Sequence, residues 1–266
     1  MTTFGFIGTG NMGSAMAKAA AKKLPGEQIL LANRTAAKAQ ALADELDAAV
    51  TDNRTIAKDA DYIFLGVKPQ MMADVLADIA PILAARTDRF ILVTMAGGMM
   101  MSRIRELAGG AYSVIRILPN TPSAIGEGIV FYNCDETITA EEEAFFLDTM
   151  AGAGMIPPLP EKLMDAGSAV AGCGPAFASM FLEALADGGV ACGLPRAAAM
   201  EYAAQMMLGT AKLALQSGKH PGAMKDAVCS PGGATIQGVR TLEQGGFRGT
   251  VMDAVIVACE AHNKLK

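Results

Sequence analysis

Thr3-Phe4-Gly5-Phe6-Ile7-Gly8-Thr9-Gly10-Asn11-Met12-Gly13 begins as an apolar run and passes through a glycine turn into a helical pattern. A strand leading into G-x-G-x-x-G and straight on into a helix is the context in which this glycine spacing carries meaning. Gly8 permits the tight turn, Gly10 lets the backbone approach a pyrophosphate, and Gly13 lets helix and strand pack closely. The helix N-terminus offers its amide hydrogens to the anion. A bland glycine turn shares the spacing, but strand, helix and N-terminal placement together point to dinucleotide binding. The candidate contacts are Ile7, Gly8, Thr9, Gly10, Asn11 and Met12.

Outward from this stretch, short apolar runs alternate with helical patterns, the signature of βαβ units and a parallel sheet. Strands are expected at Thr3–Ile7, Gln28–Ala32, Ala49–Val50, Tyr62–Val67, Phe90–Met95 and Ser113–Leu118, with another near Ile129–Tyr132 and an extended piece at Met155–Leu159. They are apolar on both alternating faces, as in a sheet covered by helices on both sides. Helices are expected at Asn11–Lys23, Ala36–Leu46, Met71–Ala80, Ser102–Leu107 and Ala140–Met150. The fold class is α/β: a Rossmann-type, doubly wound, mostly parallel sheet over residues 1–160.

Past Pro157-Pro158-x-Pro160 the character changes. Residues 161–266 read as alanine-rich helices with few charged positions, and a small domain cannot hide that much apolar surface alone. The expectation is an all-α C-terminal dimerisation domain, hence a homodimer.

The end of the second strand selects the dinucleotide. NAD-binding proteins usually place an acid there for the ribose 2′-hydroxyl. Here the strand ends Ala32-Asn33-Arg34-Thr35, with no acid until Asp44. An arginine fork grips a 2′-phosphate that a carboxylate would repel. NADP is expected, with NADPH preferred over NADH, and Asn33 and Arg34 as contacts; a solvated loop arginine is the alternative. Val67-Lys68-Pro69 and Ala96-Gly97 follow the fourth and fifth strands at the sheet edge where such folds bind ligands. Asn120, in Leu118-Pro119-Asn120-Thr121-Pro122, is a polar contact or a turn residue.

Composition excludes several classes. A net charge of -5 argues against general nucleic-acid affinity. Five cysteines with no C-x-x-C pair suggest reduced thiols in a cytoplasmic protein, and two histidines are too few for a histidine-rich metal site. No signal peptide is visible, and no run of roughly eighteen uninterrupted apolar residues suggests a membrane helix. No paired carboxylates or Ser/His/Asp set can be assembled, as suits a reaction whose difficult chemistry a cofactor carries.

Two glycine loops mark the helical region. Gly172-Cys173-Gly174-Pro175-Ala176-Phe177 starts a helix and reads as close packing. Ser230-Pro231-Gly232-Gly233-Ala234-Thr235 precedes another, as an anion site or a capped loop.

Along essentially its whole length the chain resembles the pyrroline-5-carboxylate reductases. The matching pieces are Phe6–Gly13, Val67–Pro69, Pro119–Pro122, Gly172–Ala176 and Gly193-Leu194-Pro195-Arg196. The most specific are Asp226-Ala227-Val228-Cys229-Ser230-Pro231-Gly232-Gly233-Ala234-Thr235 and Leu242-Glu243-x-Gly245-Gly246-Phe247-Arg248. The resemblance implies a helical domain interleaved with its partner, larger assemblies of dimers, and reduction of 1-pyrroline-5-carboxylate to L-proline. It implies Asn53 at the adenosine ribose. It also implies the loop 230–235 at the substrate carboxylate, and the candidate substrate contacts are Val228, Ser230, Gly232, Gly233, Ala234 and Thr235. The carboxylate is expected against the amides of Gly233, Ala234 and Thr235, with a side chain at 233 clashing with the ligand and the Thr235 hydroxyl as the candidate catalytic group, hydrogen-bonding the ring nitrogen. The family commonly has serine where Cys173 stands and tyrosine where Phe177 stands.

A β-hydroxyacid dehydrogenase shares the opening turn, but its chemistry needs a lysine on the helix after the second glycine loop. Pro175–Cys192 contains no lysine. A non-catalytic NADP sensor predicts binding without turnover.

Overall fold

The computed structural model describes residues 1–263. Among them lies an eight-stranded sheet: β1 (Phe4–Ile7), β2 (Ile29–Ala32), β3 (Ala49–Val50), β4 (Tyr62–Leu65), β5 (Ile91–Thr94), β6 (Ser113–Pro119), β7 (Gly128–Cys134) and β8 (Gly154–Met155). Their order is β3-β2-β1-β4-β5-β6-β7-β8. The first six run parallel, and β7 turns antiparallel against β6. The order reverses at β1, so a crevice opens at the carboxyl ends of β1 and β4, where doubly wound sheets bind ligands.

Period-two patterning fills both faces. On β4, Tyr62 and Phe64 join one core with Phe4, Phe6, Met16 and Phe146, whereas Ile63 and Leu65 join the other with Leu76, Ile79 and Leu92. Phe6 stacks on Phe64 with ring centroids 4.4 Å apart. Burial of apolar side chains on both sides fixes the register, because a one-residue slip would exchange the two cores.

The flanking helices are α1 (Asn11–Ala20), α2 (Ala36–Leu46), α3 (Asn53–Asp59), α4 (Pro69–Ala85), α5 (Met101–Ala108) and α6 (Ala140–Met150). Two differ from expectation. Helix α3 escapes the periodicity reading because it is short, yet Asp52 caps it, accepting from the Thr55 amide at 2.7 Å. Helix α4 runs through Pro81 to Ala85. One backbone donor is lost there, but Leu83 beyond it is buried with Leu76 and Ile79.

Glu161–Ala191 is helical in several turns: α7 (Met164–Gly167), a π-helical turn at Ser168–Gly172, and α8 (Gly174–Ala191). This run is long and apolar enough to cross a membrane by length and composition, and only 11% of its most apolar window is buried. The run is not uninterrupted, since Asp165, Ser168, Ser179, Glu183 and Asp187 break it, but its few charges are spaced widely enough to leave a strongly apolar average. After it come α9 (Arg196–Ser217), α10 (Pro221–Ala227), α11 (Ala234–Gln244) and α12 (Phe247–Asn263).

The chain forms two compact units. One holds Met1–Cys173 together with the end of the chain from Ala258, and the other is Gly174–Val257. In the second, α8 packs on α9 and Phe181 meets Phe247 at 5.7 Å. Its only buried apolar residues among those described are Ala186, Ala199 and Ala203, while Tyr202, Met206, Leu208, Leu213 and Leu215 of α9 are exposed. Three alanines make no core. This unit lacks the apolar burial that an independent domain needs.

Candidate functional site

A cleft of about 780 Å³ lies at the carboxyl ends of β1, β2 and β4. Ile7, Gly8 and Gly10 form one wall, and Asn33, Arg34, Asn53, Val67 and Lys68 line the remainder. The glycine turn is fixed by close backbone approaches. Gly8 has φ +97, and a Cβ on it would stand 2.8 Å from the Gly66 carbonyl oxygen. A Cβ on Gly13 would stand 2.0 Å from the Gly8 oxygen, so side chains are excluded at both positions. Gly10 faces open space, and no side chain caps α1. Its first amides are therefore available to an anion.

The charges agree with that reading. Among the described residues, Arg34, Lys38 and Lys68 line this cleft with no side-chain hydrogen bond or ion pair, whereas Arg54 beside them is held by Asp78 at 2.6 Å. The cleft's other acid, Asp52, is engaged with the Thr55 amide, whose hydrogen bond holds its carboxyl below the usual range. Three uncommitted cations facing an uncapped helix N-terminus fit a ligand with several phosphates. Asn33 shapes the approach to Arg34, its Nδ2 donating to the Thr35 carbonyl at 3.2 Å.

The sequence reading missed Lys38, Thr35, Asp52 and Arg54. A signal for Lys38 existed: it stands in the first turn of α2, directly after the loop that carries Arg34. Thr9, Asn11 and Met12 line an adjoining pocket of about 600 Å³ that Lys38 also borders. The Thr9 hydroxyl is buried there without a partner.

Pro69 is the first residue of α4. Ala96 is buried after β5, and Gly97 stands beside His262. Asn120 is taken up by the protein itself: Nδ2 donates to the Ala171 carbonyl at 3.1 Å and Oδ1 accepts from the Ile129 amide at 3.0 Å.

In the helical unit, Val228 ends α10 and is exposed, and Gly233 is the N-cap of α11 with no side-chain cap. Gly232 has φ +71, the left-handed turn that only glycine takes freely. Two expectations about this loop change. The Gly233 amide is spent on the Ser230 carbonyl at 3.0 Å, so Ala234 and Thr235 carry the amides that begin the helix. A Cβ on Gly233 would stand 2.3 Å from Ser230 Oγ, so a substitution there strikes the chain itself before any ligand.

Two known families match separate stretches of the chain. Residues 161–265 match the family described as Pyrroline-5-carboxylate reductase dimerisation, and residues 3–97 match NADP oxidoreductase, coenzyme F420-dependent. The pyrroline-5-carboxylate reductase of Pisum sativum is 38% identical over 265 residues, covering 99% of this chain and 96% of that protein. That of Escherichia coli (strain K12) is 37% identical over 265 residues, covering 98% and 97%. The crystal structure of Plasmodium falciparum pyrroline carboxylate reductase with NADP bound superposes with a TM-score of 0.89. It is 30% identical and covers 99% of this chain and 98% of that one.

Proposed function

The chain belongs to the pyrroline-5-carboxylate reductase family, and from that premise we propose how its own residues perform the family's reaction. It is an NADP-linked oxidoreductase that reduces the imine of 1-pyrroline-5-carboxylate to give L-proline. NADPH supplies the hydride, which passes to the imine carbon.

The observation carrying the assignment of the cleft is the trio of uncommitted cations opposite the uncapped start of α1. Arg34 grips the 2′-phosphate as a fork, Lys38 adds charge in the first turn of α2, and the first amides of α1 hold the pyrophosphate. Asn53 meets the adenosine ribose, and Ile7, Val67, Lys68 and Pro69 border the cofactor's path. Ala96 and Gly97, small and without protruding side chains, leave room for the nicotinamide end. Asn120 acts through the backbone it ties together, holding the turn that contains Ala171.

The substrate carboxylate is held by the loop Ser230–Thr235, at the uncapped start of α11. There the Ala234 and Thr235 amides and the macrodipole favour an anion. The Thr235 hydroxyl hydrogen-bonds the ring nitrogen and keeps the iminium form in place. An imine accepts hydride best when protonated, and no side chain of conventional general-acid type is required.

The homodimer forms through the helical unit, whose exposed apolar residues on α8, α9 and α12 are covered by a second copy. Pairing of dimers into a larger assembly, a cytoplasmic location, and an apolar Glu161–Ala191 run that meets protein and not lipid complete the proposal.

The carboxylate reading is tested by comparing 1-pyrroline with 1-pyrroline-5-carboxylate, in the native protein and in Thr235→Ala. A lost net hydrogen bond slows turnover of the acid about two- to tenfold. The native protein should use 1-pyrroline poorly. Equal use of the two imines would leave the loop as a helix cap only.

A further inference from the structure

Ser168 and Cys173 are five residues apart, a separation that in a regular α-helix turns side chains about 140° away from each other. Here the intervening turn is π-helical, and the Cys173 amide donates to the Ser168 carbonyl at 2.9 Å. That wider turn brings both side chains to one nitrogen of His262, near the end of α12. Nε2 lies 3.4 Å from Ser168 Oγ and 3.7 Å from Cys173 Sγ. The other ring nitrogen, Nδ1, lies 4.0 Å from where a Cβ on Gly97 would stand. A thiol, an imidazole and a hydroxyl are thus gathered at the loop after β5, within one compact unit, and the reductase reaction uses none of them. Single π turns inside helices recur at functional sites.

The pairing supplies what thiol chemistry needs. The thiolate is the nucleophile, and an imidazole within reach is a group able to take the thiol proton. Cys173 and His262 are both partly exposed, so a small reagent can reach them. Cys134 offers no such route, because burial pushes its thiol up to about 12. Cys192 is exposed and has no side-chain partner among the described residues, and it serves as an ordinary reference thiol.

We propose that Cys173 is a modifiable thiol, engaged by His262, on which a small-molecule disulfide attaches and switches the reductase off. His262 Nε2 takes the thiol proton, and Sγ attacks one sulfur of the disulfide. The reagent's S–S bond breaks as the Cys173 S–S bond forms, and the second sulfur leaves as a thiolate that picks up the proton. Cys173 is oxidised to a mixed disulfide while half of the reagent is reduced to a thiol, and excess thiol reverses the exchange. Ser168 shares the same nitrogen and holds the ring in place. The adduct fills space beside Gly97. The loss of activity rests on the reading of that loop as the nicotinamide end, whereas labelling of Cys173 rests only on its contact with His262.

The test incubates the NADPH-free homodimer with oxidised glutathione. Occupancy of each cysteine is followed by peptide mass mapping, beside residual activity and NADPH binding. Cys173 is expected to react at least about tenfold faster than Cys192, and His262→Gln is expected to remove that advantage. Bound NADPH should slow Cys173 and leave Cys192 unchanged. Activity should fall in step with Cys173 occupancy and return with dithiothreitol. If His262→Gln fails to bind NADPH, the ratio of the two rates in the native protein decides. Equal rates at Cys173 and Cys192, or undiminished labelling in a folded His262→Gln, overturn the reactive thiol. Fast labelling with full activity overturns the switch.

Discussion

The Glu161 carboxylate stands 3.3 Å from the guanidinium of Arg116 and 2.7 Å from the Met101 amide that opens α5. Arg116 is fully buried on β6 and meets a second carboxylate, Asp165, at 3.3 Å. One inward cation therefore ties the middle of the sheet to the chain segment that leaves it, and to the helix after the Gly97 loop.

Removing one partner of a buried ion pair costs about 3–5 kcal/mol, because the remaining charges stay desolvated and unpaired. Arg116→Met should lower the unfolding free energy by an amount of that order, read from urea denaturation at fixed protein concentration. Arg116→Lys should recover little, since a single ammonium cannot span two carboxylates as the planar fork does.

In the proposed function Arg34 carries the cofactor choice. Its loss removes a charge-assisted hydrogen bond to the 2′-phosphate, so Arg34→Ala should weaken NADPH about ten- to a hundredfold and hardly affect NADH. Fluorescence titration with both cofactors reads this directly. Equal losses for both would place Arg34 outside the phosphate site.

Parts of this picture were legible in the sequence, and others were not. The alternation of Tyr62, Ile63, Phe64 and Leu65 announces a strand buried on both faces, and the glycine turn places the crevice. Helix α3 was not legible, because seven residues give periodicity too little length and its evidence is a single capping aspartate. Lys38 was overlooked because a lysine on an amphipathic helix looks solvated until the start of α2 is known to border the same cleft as Arg34. Least legible was His262. Nothing local links it to Cys173, and their meeting depends on the return of the chain end and on a π turn that no propensity scale marks.

The helical unit gives a prediction about assembly. Leu208 of α9 is 57% exposed in the single chain. Burying a leucine contributes about 1.5–3 kcal/mol, so Leu208→Glu should weaken the dimer at least about tenfold. Sedimentation at falling concentration should show the native chain dimeric or larger, with activity lost where the variant dissociates. A folded, fully active monomer would contradict the proposed interface.

Asp135 sets an acid limit. Burial raises its carboxyl, but hydrogen bonds from Thr137 and the Val114 amide, with Arg105 beside it, hold it below the usual 3.8. A folded value below the unfolded one means that the stabilisation is complete above about pH 4 and fades as pH falls through the folded value. Asp135→Asn should lower stability at neutral pH and flatten the decline in acid, as followed by denaturation at a series of pH values.

Reduction of 1-pyrroline-5-carboxylate by NADPH can be followed in a single assay. Purified protein is mixed with NADPH and the imine while absorbance at the cofactor's reduced band is followed and proline is quantified. NADPH should be consumed and L-proline should appear in equal amounts, and neither should occur without the imine. NADPH binding with no turnover of the imine would contradict it and leave the chain a nucleotide-binding relative of these reductases.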